Sequence, residues 1–258
     1  MFMNSKNVLF SKEIYYTNKN LSDGFGAQYQ KIIQTYIYCR IKHFPFAYTP
    51  LEKVQHNYDN DNRFVEKLEK LMNLKDNIMN INVNMNSQAL DYGSIVRNFV
   101  DENIDNCCEN EHMEFIKKCF WEKKEKDFFK NRKINIAIHI RRYDNAYDNG
   151  NSELRITPPN DYYLNVMNHI RKKYSNNELN FHVYSQGSIS NFKELIDKDV
   201  IFYLDHDIID TFIGMVAAEI LVISPSSFSY VAGLMNDGEI YYTPFWHSAR
   251  KNWINICS

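Results

Sequence analysis

The sequence predicts an α/β protein whose second half is built around a parallel sheet. Apolar runs such as INIAIHI (134–140) alternate about four times with helical patterns. The connections between these elements are only a few residues long, which favours parallel strands joined by right-handed crossovers. Polar clusters also follow the apolar runs directly, as expected where the carboxyl ends of parallel strands line a ligand crevice.

Each element of the second half follows from its own pattern. The helix that follows INIAIHI begins in TPPNDYY, because proline suits the first turn of a helix. The apolar residues of this helix then recur at helical spacing. The remaining elements, in chain order, are the strand NFHVYS, the helix SNFKELI, the strand VIFYL, the helix DTFIGMVAAE, the strand ILVIS, the helix SFSYVAGLMN and the strand EIYYTPF.

The first half has a weaker pattern. Ile32, Ile33 and Tyr36 recur at helical spacing, and the stretch with Gly24 and Gly26 is predicted to be a loop before that helix. A charged stretch ends near residues 127–133, where we expect a domain junction. This places one domain at residues 1–130 and a second at residues 131–258.

Composition excludes several classes of protein. The chain has 258 residues, long enough for one large domain or two small ones, and its formal net charge is −2. Bulk charge therefore indicates no nucleic-acid partner. No apolar run approaches the ~20 residues that a membrane helix needs, so no membrane span is expected. The five cysteines match neither a zinc site nor a disulfide framework, which favours a reducing, cytoplasmic location.

The strand ends carry the side chains that suit a nucleotide. Arg141 and Arg142 follow the first strand of the second half, and the arginine fork matches a diphosphate. Ser226 and Ser227 precede a helix, whose free N–H groups and dipole favour anions. The carboxylate of Asp210 is suited to accept hydrogen bonds from the N–H edge of a purine.

Simpler interpretations exist for the same residues. Paired arginines at a strand end often form a surface ion-pair cluster. His139, within an apolar strand, is more often a hydrogen-bonded core residue than a catalyst. A serine before a helix is ordinarily its N-cap. Spacing alone therefore leaves both interpretations open.

Three motifs resemble one enzyme family. HIRRYD (139–144) resembles the H-x-R-R-x-D signature shared by α1,2-, α1,6- and protein O-fucosyltransferases. AAEILVISPSSFSYVAGLM (217–235) and GFGAQYQ (24–30) are similar to two blocks of the α1,2 group, in the same order and at similar spacing. The chain departs from the family at Ala27, where the family has asparagine, and at Tyr230-Val231, where many relatives have an aromatic pair.

The resemblance implies a GT-B fold, with two Rossmann-like domains and a cleft between them. Residues 131–258 would bind the nucleotide sugar, and residues 1–130 would form the acceptor side. The implied reaction is an inverting transfer of fucose from GDP-fucose to a glycan hydroxyl, without a metal or other cofactor. The expected partners are therefore a nucleotide-sugar donor and a glycan acceptor.

The resemblance also assigns roles to residues. Arg141 would hold the β-phosphate, while His139 and Asp144 would orient this arginine or contact the sugar. Asp144 is the candidate base, with Asp23 as the alternative. The expected donor-binding residues are Arg141, Arg142, Asp210, Ser226, Ser227, Phe228 and Ser185. The expected acceptor or cleft residues are Gly24, Phe25, Gly26 and Gln28.

Three other hypotheses remain open on the sequence. The spacing of Asp205 and Asp207 after an apolar strand is suited to a divalent cation that bridges a nucleotide diphosphate. The same scaffold also suits a nucleotide sugar other than GDP-fucose. Finally, the chain is also consistent with a non-catalytic module that binds a nucleotide or a glycan.

Overall fold

The computed structural model describes residues 13–19, 22–142 and 157–256. In the first half, the strands are two or three residues long: β1 (Tyr15–Thr17), β2 (Asp23–Gly24), β3 (Val54–Gln55) and β4 (Ser87–Ala89). They form two separate parallel pairs, β1 with β4 and β2 with β3. The described part of the first half therefore contains two small sheets, and the continuous Rossmann-like sheet expected there is not among its elements.

Helices form most of the regular structure of the first half. They are α1 (Phe25–Ile41), α2 (Phe64–Met72), α3 (Arg97–Glu102), α4 (Ile104–Cys108) and α5 (Glu111–Trp121), with a π-helical turn (Tyr92–Val96) before α3. The prediction of a loop through Gly26 is wrong, because α1 already begins at Phe25. Gly26 and Gln28 therefore lie inside the first two turns of this helix.

The second half contains a five-stranded sheet. Its strands are β5 (Ile134–His139), β6 (Leu179–Ser185), β7 (Val200–Leu204), β8 (Ile220–Val222) and β9 (Glu239–Tyr241). All neighbours pair in parallel, in the order β7-β6-β5-β8-β9. This is the order 3-2-1-4-5 of a doubly wound sheet, which reverses direction between β5 and β8. The predicted parallel layer is confirmed.

Helices cover both faces of this sheet. They are α6 (Asn160–Lys173), a 3₁₀ helix (Ile189–Leu195), α7 (Ile208–Ala217) and α8 (Ser227–Met235). Side chains of β5 alternate between the faces, so Ile136 and Ile138 pack with α6 whereas Ala137 joins the core on the side of α7 and α8. SNFKELI was expected to be a helix, and it lies in a 3₁₀ helix that is interrupted at Phe192, whose φ is −131°.

One hydrophobic core crosses from the first half into the second. It contains Tyr29 and Ile33 of α1 together with Tyr230 and Leu234 of α8. The segment after β9 returns to the first half, where the Arg250 guanidinium contacts Glu109 at 2.9 Å. None of the helices in the described ranges has the length and apolar composition that a membrane crossing requires.

Candidate functional site

The site lies where the sheet changes direction, at the carboxyl ends of β5 and β8. In doubly wound sheets, this switch point is where ligands bind. Two hydrogen bonds join the strand ends. The Arg141 N–H donates to Ser224 Oγ at 3.0 Å, and Ser185 Oγ donates to the Ile140 carbonyl at 2.7 Å. The strand-end residues expected to lie together therefore do so for β5, β6 and β8.

The Arg141 side chain is held at this edge. It is half-buried, and its Nη1 donates to Gln186 Oε1 at 3.1 Å. Gln186 follows β6 directly, so the guanidinium lies above the boundary between β5 and β6. The planar guanidinium presents its donors in a fixed fork, a geometry that matches a diphosphate.

Arg142 points elsewhere. Its Nη2 donates to Asn160 Oδ1 at 2.6 Å, and its guanidinium lies 5.0 Å from the centre of the Phe192 ring. Both partners belong to the α6 side of the sheet. Burial lowers the pKa of Arg142 from its ordinary value. The Arg142 side chain thus packs on the opposite side of the sheet from that of Arg141, because successive residues of an extended chain face opposite ways.

His139 is buried beneath this edge. Only 8% of it is exposed, and its ring meets Phe228 edge-on with centroids 5.6 Å apart. Burial, with the nearby Arg141 charge as a second cause, lowers the pKa of His139 to about 3. The imidazole is therefore neutral at physiological pH and too weakly basic to take a proton from an acceptor hydroxyl. Its Nδ1 has no hydrogen-bond partner among the described residues.

The amino end of α8 forms the other wall. Ser226 is the N-cap, and its Oγ accepts from the Phe228 N–H at 3.3 Å. The Ser227 hydroxyl lies 3.1 Å from His247 Nε2. Both hydroxyl groups thus have protein partners. The backbone N–H of Ser227 is the first of the helix, where no carbonyl within the helix can accept from it. This end of α8 consequently offers an anion its backbone and its dipole.

The expected cleft residues of the first half pack against this wall. A Cβ on Gly26 would lie 2.8 Å from the Ser227 carbonyl carbon and closer still to the backbone N and Cα of Phe228. Only glycine permits this approach of α1 to α8. The buried Phe25 ring also meets the Phe228 ring, with centroids 6.3 Å apart.

Three further residues of this stretch have structural contacts. The Gln28 amide donates to the Asp23 carbonyl at 2.9 Å and to the Lys53 carbonyl at 2.8 Å, and so joins the segment before α1 to the segment before β3. Gly24 lies against the His56 ring. Asp23, the alternative base, pairs with Lys31 at 2.9 Å and remains partly exposed.

Asp210 lies at an aromatic cavity of about 340 Å³ beside β6 and β7. The rings of Tyr184 and Tyr203 stack there with centroids 5.0 Å apart. Asp210 is exposed in the first turn of α7, and His206 Nε2 lies 3.8 Å from its carboxylate. The cavity is lined by Phe128, Phe129, Asn131, Asn180, His182, Tyr184, Ile201, Tyr203, His206 and Asp210.

The proposed metal ligands after β7 have separate structural contacts. Asp207 caps α7, accepting from the Ile209 N–H at 2.8 Å, and Asp205 accepts from the Gly187 N–H at 3.2 Å. Within the described ranges, no three His, Cys, Asp or Glu side chains lie together as a metal site would require. Asp144 lies outside the described residues.

Gln186 and Ser224 belong to the polar strand ends that the sequence singled out, although no role was predicted for either of them. Sequence reasoning missed His247. His247 lies in an irregular segment near the carboxyl terminus and carries no sequence signal. It reaches Ser227 only through the packing of that segment across α8.

Comparison with known proteins gives a limited likeness. No family model and no curated protein sequence matches the chain. Among solved structures, NodZ α-1,6-fucosyltransferase soaked with GDP-fucose matches at 10% identity and a TM-score of 0.42, covering 86% of this chain and 92% of that one. The same enzyme co-crystallised with GDP gives 10% and 0.44, covering 87% and 93%. Fucosyltransferase NodZ from Bradyrhizobium gives 11% and 0.42, covering 86% and 93%. Scores at this level transfer no residue roles.

Proposed function

We propose that this chain is a glycosyltransferase that binds a nucleoside-diphosphate sugar at the carboxyl edge of its five-stranded sheet. The donor that fits the sequence motifs is GDP-fucose. One observation carries the proposal. The arginine of the H-x-R-R-x-D motif, Arg141, lies at the switch point of a doubly wound sheet, beside the amino end of α8.

Arg141 and α8 would together hold the diphosphate. The transition state of sugar transfer places negative charge on the departing nucleotide, so fixed donors act where the charge develops. The guanidinium is held by Gln186, and its backbone is tied to Ser224, so little reorganisation is needed. These groups supply the positive charge that a metal ion supplies in other glycosyltransferases, and the proposed reaction is metal-independent.

The aromatic cavity would hold the base. A volume of about 340 Å³ lined by stacked rings accommodates a planar purine. The Asp210 carboxylate at its rim can accept hydrogen bonds from the N–H edge of guanine. That edge presents a pair of adjacent donors that adenine and uracil lack. This predicts a preference for GDP over ADP and UDP.

The reaction proposed is a direct displacement with inversion. The acceptor hydroxyl oxygen forms a bond to the anomeric carbon as the bond to the β-phosphate oxygen breaks. GDP leaves with the electron pair, and a base takes the hydroxyl proton. Asp144 is the proposed base and Asp23 the alternative, because Asp23 is partly exposed where the first half meets α8. In this proposal residues 1–130 form the acceptor side and residues 131–258 the donor side of a GT-B arrangement.

Ligand-induced stabilisation tests the donor assignment. Only a ligand of the native state raises the melting temperature, by an amount set by its affinity. GDP is expected to raise the Tm of the wild-type chain more than UDP or ADP does. Arg141→Ala should abolish the GDP shift, whereas Arg132→Ala, which removes an exposed arginine before β5, should retain it. An unchanged GDP shift in Arg141→Ala would rule out the site.

Transfer itself requires a second measurement. The wild-type chain is incubated with GDP-fucose and a panel of glycans, and release of GDP is followed with and without acceptor. Acceptor-dependent release of GDP, with a product whose anomeric configuration is opposite to that of the donor, establishes inversion. Tight GDP binding without release or transfer on any acceptor would identify a non-catalytic binding module instead.

A further inference from the structure

His247 is a buried imidazole at which three distant segments meet. It is only 7% exposed, and its ring stacks on Tyr230 with centroids 4.5 Å apart. Its Nδ1 lies 3.2 Å from the side-chain amide of Gln30 in α1. Its Nε2 lies 3.0 Å from Trp246 Nε1 and 3.1 Å from the Ser227 hydroxyl at the start of α8.

These contacts determine which ring nitrogen carries the proton. The indole N–H of Trp246 is a donor only, so Nε2 must accept and cannot carry a proton. A neutral imidazole has its one proton on the other nitrogen, so Nδ1 donates. The atom of Gln30 that lies 3.2 Å from Nδ1 is its amide nitrogen, so the amide must turn about its Cγ–Cδ bond for its oxygen to accept from Nδ1, since two donors cannot bond to each other.

The tautomer also fixes the direction of the Ser227 hydroxyl. Because Nε2 is an acceptor, the hydroxyl can only be the donor in this contact, where it shares the one lone pair of Nε2 with the Trp246 N–H. Burial, and secondarily the charge of Arg97, lowers the pKa of His247 to about 3, so this arrangement persists across physiological pH. His247 is thus a permanent acceptor that holds the first residue of α8.

We propose that His247 is a positioning residue for the nucleotide. It fixes the amino end of α8 against α1 by joining Ser227 to Gln30, and so places the first backbone N–H of α8 where a diphosphate oxygen can accept from it. His247 itself touches no ligand. This inference rests on the proposed function, because the anion that it serves is the diphosphate of the donor.

Two substitutions separate positioning from mere packing. His247→Gln places an amide oxygen near the former Nε2, which retains the acceptor for Ser227. His247→Asn has a shorter side chain whose amide lies near the former Nδ1, which retains the contact with Gln30 and loses that with Ser227. A purely structural role would make the two variants equivalent in their affinity for GDP.

The experiment measures GDP affinity by calorimetry for the wild type, His247→Gln and His247→Asn, with His169→Asn as the control at an exposed histidine of α6. We expect roughly tenfold weaker binding for His247→Asn, the order of effect of losing one buried hydrogen-bond partner. His247→Gln and the control should stay within about threefold of wild type. In the ligand-free protein, ¹⁵N NMR should show Nδ1 protonated and Nε2 bare.

Three results would overturn the inference in distinguishable ways. Wild-type affinity in His247→Asn, or equal losses in the Asn and Gln variants, refutes the positioning role while the nucleotide site stands. A proton on Nε2 refutes the direction of the Ser227 hydroxyl. A wild-type chain that binds no GDP refutes the proposed function, and the positioning role with it.

Discussion

Because α1 and α8 approach closely at Gly26, we expect one added methyl group there to lower the stability of the protein considerably. In Gly26→Ala the new Cβ would lie 2.8 Å from the Ser227 carbonyl carbon and nearer still to the Phe228 backbone. Carbon atoms pack at about 3.5–4.0 Å, so the two helices must separate by roughly 1 Å. Backbone atoms cannot rotate aside, which places the cost near the upper end of the ~1–3 kcal/mol typical of overpacking.

Helix propensity opposes this cost. Alanine is favoured over glycine in a helix by about 1 kcal/mol, so the expected net destabilisation is ~2 kcal/mol, or a Tm lowered by roughly 4–8 °C for a chain of this size. Nucleotide affinity should fall as well, since the amino end of α8 moves with the contact. Thermal unfolding with and without GDP measures both effects.

Gly93→Ala is the matched control. There the nearest atom to a new Cβ is the Asp91 carboxylate oxygen at 3.6 Å, an ordinary contact. We expect this variant to be as stable as the wild type or slightly more stable. If Gly26→Ala melts at or above the wild-type temperature and binds GDP normally, the reasoning that α1 and α8 are in fixed contact is refuted.

Three further predictions concern charge. Arg141→Lys should bind GDP far more weakly than the wild type in calorimetry, because a point charge does not reproduce the guanidinium fork; near-equal affinity would contradict this. The pKa is about 3 for His139 and His247 and about 4 for His182, and all three values lie below the pKa of histidine in the unfolded chain. The unfolded state therefore binds more protons at acidic pH, and the free energy of unfolding falls as the pH drops below ~6.5. For the three histidines together the fall reaches up to ~4 kcal/mol per pH unit. Urea unfolding at pH 7, 5.5 and 4.5 measures this, and constant stability would refute the buried neutral state. Fucosyl transfer should persist in excess EDTA, whereas loss of activity restored by Mg²⁺ would favour the two aspartates after β7.

Local pattern was sufficient for the second half of the chain. Strands β5 to β9 and the helices between them follow from apolar runs, helical spacing and turn residues, each of which acts over a few positions. The N-cap role of Ser226 and the strand-end position of Arg141 also follow from patterns over a few positions. The start of α1 was missed, because Gly26 reads locally as a loop residue and is helical only through its contact with α8.

The sequence was sufficient to predict that the side chains of Arg141 and Arg142 point in different directions. Neighbouring residues of an extended chain point to opposite faces, so two adjacent arginines rarely serve one ligand. Only Arg141 meets the β6 strand end, while Arg142 packs on Phe192.

The sequence by itself determined the order of the elements in the second half, the parallel sheet that they form and the arginine at the edge of that sheet. The tertiary structure alone decided that α1 contacts the amino end of α8, that Gln28 joins the segments before α1 and β3, and that His247 reaches Ser227 and Gln30. The physical reason is the distance along the chain over which each kind of interaction acts. Backbone periodicity acts between residues a few positions apart, whereas Gln30 and His247 are 217 positions apart, and only the packing of the whole core brings such residues together.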